Sequence, residues 1–168
     1  MFKEIAINEI DMKIFHKIDK EWMLITAGDE TSCNTMTASW GQLGTLWSKP
    51  VATAYIRPQR YTKAFVDSHE CFTLTFFNGK HYKELGVLGS KSGRDGDKIS
   101  EVGFHTTMLD GVPAIEEGDL VLVVKKLYAD VIKKECFFEK EIDEKQYSEK
   151  QDYHTMYIGE VLKAYVKA

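Results

Sequence analysis

The chain has 168 residues, of which 43% are hydrophobic and 12% aromatic, and its net charge is −4. That is ample apolar material for one ordinary folded domain, residues 1–168, and too much for a disordered chain. The basic residues are scattered, which excludes a nucleic-acid-binding stripe. The opening MFKEIAINEIDMKIF has no continuous hydrophobic region, so no signal peptide is expected there. Trp22–Ala27 reads as a strand ended by the turn at Gly28-Asp29. Asn34–Trp40 is a threonine-rich strand that breaks at Gly41, and Val51–Ile56 is a strand bounded by Pro50 and Pro58. Tyr61–His69 reads as a helix with Thr62 as its N-cap. Cys71–Phe77 alternates Phe72, Leu74 and Phe76 against Thr73 and Thr75, the pattern of a half-buried strand. Lys80–Leu88 is a second helix closing at Gly89, followed by the polar loop GSKSGRDGD. Asp119–Val131 and Tyr153–Val166 are longer strands, with Gly159 a bulge or a point of close backbone approach. The acidic stretch EKEIDEKQYSEK is expected to be a solvated face or loop.

About six strands with a couple of short helices point to a small, mainly β, closed or partly closed antiparallel barrel. The longest apolar runs, such as Leu120–Val124, are too short to cross a bilayer. Cys33, Cys71 and Cys136 are odd in number and widely spaced, matching neither a disulfide framework nor a zinc site. A cytoplasmic protein with reduced thiols, no metal and no membrane association is therefore expected.

Four segments could carry chemistry. Arg57-Pro58-Gln59-Arg60-Tyr61-Thr62 runs from a strand end into a helix start, where unpaired N–H groups, two arginines and a hydroxyl can seat a phosphate. The same residues also read as an ordinary helix cap with solvated arginines. Along Asn34-Thr35-Met36-Thr37-Ala38-Ser39-Trp40, small and hydroxylated residues leave backbone groups within reach of a flat polar ring that Trp40 could wall. An exposed strand face of β-favouring threonines is the alternative. The loop from Gly89 to Lys98, with Ser92 and Arg94, can form an anion-binding nest or a solvated turn; it lacks P-loop spacing. His154, opening the last strand, can contact a ring or move a proton, or simply make a surface hydrogen bond.

Taken in order, NTMTASWGQLGTLWSKPVATAYIRPQRYT, FTLTFF, LGSKSGRDGDK and HTMYIGEV resemble the flavin reductase-like family, and within it the flavoredoxin-type members. The resemblance runs from about Trp22 to Val166. It implies an antiparallel Greek-key split barrel that binds FMN. By that resemblance Asn34, Thr35, Thr37 and Ser39 give polar contacts to the flavin, Met36 and Ala38 shape the strand, and Trp40 packs nearby. Arg57, Arg60, Tyr61 and Thr62 hold the phosphate or ribityl chain, and Lys98, Ser92 and Arg94 approach from the loop. His154 lies by the ring as proton donor or contact, contributed by the partner of a homodimer. The implied activity is electron transfer through bound FMN, from NAD(P)H or a redox protein to a small-molecule acceptor. A non-catalytic binding module, a split barrel that has lost its flavin or holds another planar ligand, is the remaining alternative. No GxGxxG is present, so a nicotinamide would be held against the flavin and not in a Rossmann site.

Overall fold

The computed structural model describes residues 1–168. The strands are β1 (Phe2–Ile5), β2 (Met23–Gly28), β3 (Cys33–Ala38), β4 (Gly41–Leu46), β5 (Lys49–Ile56) and β6 (Cys71–Phe76), then β7 (Thr106–Leu109), β8 (Val112–Ile115), β9 (Leu120–Val131) and β10 (Thr155–Lys167). The helices are short: α1 (Ile14–His16), α2 (Tyr61–Ser68), α3 (Tyr82–Ser90), α4 (Lys98–Glu101) and α5 (Lys140–Tyr147). One antiparallel sheet runs in the order β3-β2-β6-β9-β10-β5-β4, and β1 joins it on β10. This is the mainly β, split-barrel architecture expected from the sequence.

β10 organises the barrel. β9 pairs with it over most of its length, while on its other side β5 takes Thr155–Glu160 and β1 takes Ala164–Lys167. Its register with β9 shifts between Ile158 and Gly159, the expected bulge. A Cβ at Gly159 would lie 2.4 Å from Val124 Cγ1 and 2.8 Å from the Lys125 carbonyl oxygen, so only glycine fits.

The interior follows from strand alternation. Ile25, Phe72, Leu74, Phe76, Leu122, Val124, Tyr157, Ala52, Ala54 and Ile56 meet in the principal core. Thr73 and Thr75 are buried as well, which corrects the half-buried reading of this strand. The β7–β8 hairpin covers that face, and Thr73 Oγ1 donates to the Pro113 carbonyl at 2.7 Å.

Other expectations are also corrected. Gly41 does not end the strand region but begins β4, which returns through the two-residue turn Trp47-Ser48 to β5. Both turn residues are left-handed, with φ of 53° and 57°, a turn usually built from Asn and Gly. Pro50 lies inside β5 opposite Thr45; pairing with β10 reaches only Val51, so the missing N–H falls at the ladder's end. Helix α2 takes Arg60 and not Thr62 as its N-cap. Helix α3 runs through Gly89 to Ser90. The acidic stretch forms α5, with Asp143 and Tyr147 buried; the Tyr153 hydroxyl donates to Asp143 at 2.7 Å.

Candidate functional site

The ends of β3 and β5, the start of α2, the loop before α4 and the segment before β10 converge on two small cavities of about 250 and 180 Å3. Arg60 lines both, so they form one trough. Met36, Thr37, Ala38, Ser39, Trp40, Arg57 and His154 lie along the first, while Asn34, Tyr61, Thr62, Ser92 and Lys98 lie along the second. Segments far apart in sequence are thus brought to one place.

The smaller end is cationic. Lys98 is buried, and its Nζ donates to the carbonyls of Leu88 at 2.7 Å and Lys91 at 3.0 Å. Arg60 Nη1 donates to the Gly89 carbonyl at 2.6 Å. Burial, reinforced by the Arg60 charge, pushes the Lys98 ammonium down to about 8, and burial also lowers Arg60. Neither cation has a carboxylate partner. Two desolvated cations that repel each other while meeting only carbonyl oxygens make a seat for an anion.

Around that seat the packing is tight. Asn34 Nδ2 donates to Thr62 Oγ1 at 2.8 Å, fixing β3 to the first turn of α2. A Cβ at Gly93 would fall 2.1 Å from Asn34 Oδ1 and 3.2 Å from the Tyr61 ring, so glycine lets the loop close over this pair. Arg94 does not line the trough; its guanidinium stacks 4.6 Å over the Tyr61 ring and clasps the loop to α2.

The larger end holds the rings. Trp40 and His154 have centroids 5.1 Å apart. His154 is buried, and its Nδ1 lies 2.7 Å from the Tyr147 hydroxyl. Burial, followed by the Arg57 charge, pushes the imidazole down to about 4, so it is neutral near pH 7. Burial raises the Tyr147 phenol, which keeps its proton. The direction of that bond follows the tautomer: with its proton on Nε2 the neutral imidazole accepts from the hydroxyl at Nδ1, and with its proton on Nδ1 it donates to it.

Two of the expected contact residues are engaged elsewhere. Arg57, expected at the phosphate or ribityl chain, lines the larger end, where its guanidinium pairs with Asp152, donates to the Gln146 carbonyl at 3.1 Å and lies 5.1 Å over the Tyr147 ring. It braces the segment before β10, whereas Arg60 and Lys98 at the smaller end have no carboxylate partner. Thr35 turns away from the trough: its hydroxyl bonds Thr26 Oγ1 at 2.9 Å and the Ile25 carbonyl at 3.2 Å inside the β2–β3 pair. The sequence reading missed Tyr55 and Gln146, which line the trough, and Tyr147 and Asp152, which support it. Tyr55 was legible as the one large polar ring in VATAYI. Tyr147 was hidden in a stretch whose composition signals only solvent exposure.

Next to the larger end is a third cavity of about 610 Å3 between β4, α1 and α5. No helix is long and apolar enough to cross a membrane.

A profile for the flavin reductase like domain matches residues 15–168. Solved structures share the fold. An FMN-binding domain of a flavin reductases-like enzyme from Shewanella baltica is 17% identical, covering 99% of this chain and 77% of its own, with a TM-score of 0.65. Flavoredoxin of Desulfovibrio vulgaris is 19% identical over 87% of this chain and 69% of its own, with a TM-score of 0.67. An FMN-binding protein from Thermus thermophilus, solved with bound p-hydroxybenzaldehyde, is 21% identical over 87% of this chain and 71% of its own, with a TM-score of 0.64. No curated protein sequence matches significantly.

Proposed function

Because this chain belongs to the flavin reductase-like family, we propose that it is an oxidoreductase that works through one FMN held in the trough. The observation that carries this reading is the Lys98–Arg60 pair, one cation buried and the other partly buried, neither with a carboxylate, beside a space of about 180 Å3. A phosphate dianion supplies the missing counter-charge. One such seat favours FMN over FAD, whose second phosphate would need a counter-charge of its own.

The residues present fit that cofactor. Arg60 and Lys98 would hold the phosphate, with Thr62, Asn34 and Ser92 nearby. Ser39 and the β3 backbone would meet the polar edge of the ring system, and Trp40 would pack against it. When bound, FMN supplies one- or two-electron redox chemistry, so no protein nucleophile is needed. With Nδ1 accepting from Tyr147, the neutral His154 would carry its proton on Nε2 and act as a hydrogen-bond donor into the larger end. Tyr147 holds that tautomer, and Arg57 with Asp152 holds Tyr147 in place.

The electron donor in this reading is NAD(P)H. A second reading, a flavoredoxin-type protein reduced by another protein, is favoured by one observation: no lysine, arginine or histidine lines the cavity of about 610 Å3, leaving nothing there to hold a pyrophosphate. The protein is further proposed to be a cytoplasmic homodimer. Its three cysteines are free, which suits a reducing compartment. Leu46 on β4, Trp47 in the turn after it, Leu127, Tyr128 and Val131 on β9 and Leu162 on β10 are exposed, with the Trp47 and Tyr128 ring centroids 6.4 Å apart, an apolar surface that a second copy would cover.

Release and chromatography of the cofactor test the first claim, with stoichiometric FMN expected and FAD or no flavin against it. Anaerobic mixing with NADH or NADPH then separates the two donors: bleaching of the flavin absorbance supports the nicotinamide, and an unchanged spectrum supports a protein donor.

A further inference from the structure

The cavity beside the larger end of the trough encloses about 610 Å3, within the range of about 300–1,000 Å3 usual for small organic ligands. Its walls differ in kind from those of the trough. Trp40, Tyr55 and Tyr147 supply aromatic faces, and Ile18, Leu43 and Ile142 supply aliphatic ones. No basic side chain lines it, and its single charged residue, Asp19, is already paired with Lys20 at 2.7 Å. The trough, by contrast, carries Arg57, Arg60, Lys98 and His154. The two spaces share Ser39, Trp40, Tyr55 and Gln146, so whatever fills the cavity adjoins the place where a flavin ring would lie.

We infer that this cavity is the acceptor site and that it takes a neutral, planar aromatic carbonyl compound, with a p-quinone the best match. The inference rests on the flavin reading above for the word acceptor; the ligand class rests on the cavity alone. Apolar and aromatic walls favour a flat apolar body. The amides of Gln42 and Gln146 can donate to carbonyl oxygens, the groups a quinone presents at its edge. A phosphate, sulfonate or carboxylate would instead meet largely apolar walls that carry no cation to receive it, which disfavours it. A bound p-quinone gains two electrons and two protons to become its hydroquinone. A reduced flavin in the trough would supply both electrons and both protons, and would itself be reduced again by the nicotinamide or redox protein proposed as donor.

The test is equilibrium dialysis of menadione and of 1,4-naphthoquinone-2-sulfonate against the full-length protein, with and without FMN. Saturable binding of about one menadione per chain is expected, with the sulfonate at least tenfold weaker. Ile142→Arg, at a half-exposed position on α5, should weaken menadione about tenfold and narrow the preference against the sulfonate. No saturable menadione binding, or equal affinities for the two compounds, overturns the inference. So does a site present in the monomer but absent in a dimer, because a second copy would then fill the cavity. Circular dichroism checks the fold of the variant, and if it does not fold the wild-type comparison still decides. FMN affinity is followed separately by flavin absorbance: FMN binding without menadione binding sinks this inference alone. Menadione binding without FMN binding supports the ligand class and sinks the flavin reading.

Discussion

The hydroxyl of Tyr147 lies 2.7 Å from Nδ1 of His154, and both side chains are buried. A helix that composition marks as solvent-facing therefore supplies the hydrogen-bond partner of the trough's only histidine. Tyr147→Phe removes the donor to Nδ1 and should let the imidazole populate both neutral tautomers. Nitrogen-15 chemical shifts of the ring read this directly. A single Nε2–H pattern is expected in the wild type and averaged shifts in the variant; identical spectra would remove Tyr147 from this role.

His154 also ties stability to pH. Its folded pKa of about 4 lies below the ordinary value of about 6.5. Between these values the unfolded chain takes up a proton that the folded chain refuses, so stability falls as pH drops from about 6.5 towards 4. His154→Gln should flatten part of that slope in denaturant melts at pH 7 and pH 5.

Lys98 makes the opposite limb of a second profile. Its ammonium, held at about 8 by burial and by Arg60, is charged near pH 7, and a bound dianion would raise its pKa. FMN binding above pH 8 then requires proton uptake, so affinity should fall as pH rises through that value. Below about pH 6 the phosphate itself gains a proton and affinity should fall again. Titrations across pH 5–10 should give a maximum between these limits, and Lys98→Arg should move the upper limb to higher pH.

Arg60→Ala should weaken FMN binding about ten- to a hundredfold, since a charge-assisted hydrogen bond contributes about 1.5–3 kcal/mol. Arg57→Ala should weaken it less, because that guanidinium is already engaged by Asp152 and Tyr147. Fluorescence titration of both apo variants compares them; a larger loss for Arg57 would return the phosphate to the end of β5.

Gly93→Ala places a methyl 2.1 Å from Asn34 Oδ1. The loop must lift or the Asn34–Thr62 bond must break, an overpacking effect of about 1–3 kcal/mol. Lower FMN affinity with a thermal midpoint down by only a few degrees is the expected result; an unchanged affinity would mean that the loop does not need to close on Asn34.

The barrel strands were legible because their residues obey a period of two. Phe72, Leu74 and Phe76 point to one side, and the core forms there. The trough was legible in part because Asn34–Trp40, Arg57–Thr62 and His154 sit at strand ends, where backbone groups are free. What escaped depends on contacts between distant segments. Nothing local distinguishes Arg57 from Arg60; only the arrival of Asp152 from far along the chain takes one of them out of the anion seat. Trp47-Ser48 gave no turn signal because its left-handed geometry is imposed by the β4–β5 ladder and not by residue preference. Lys140–Tyr147 looked solvated because its buried side consists of one tyrosine and one carboxylate, Tyr147 and Asp143.

The segment from Ile132 to His154 leaves and re-enters the barrel at one point. Val131 and Thr155 are partners in the β9–β10 ladder, and the Ile132 N–H donates to the His154 carbonyl at 2.9 Å. Both ends of a long excursion are thus already stitched together, so a short turn could replace it without changing any strand register, and lengthening it adds little closure entropy. Arg60, Lys98 and Asn34 lie outside it, whereas Ile142, Gln146 and Tyr147 lie inside. Exchanging this excursion would therefore rebuild one wall of the cavity of about 610 Å3 while leaving Arg60, Lys98 and Asn34 in place.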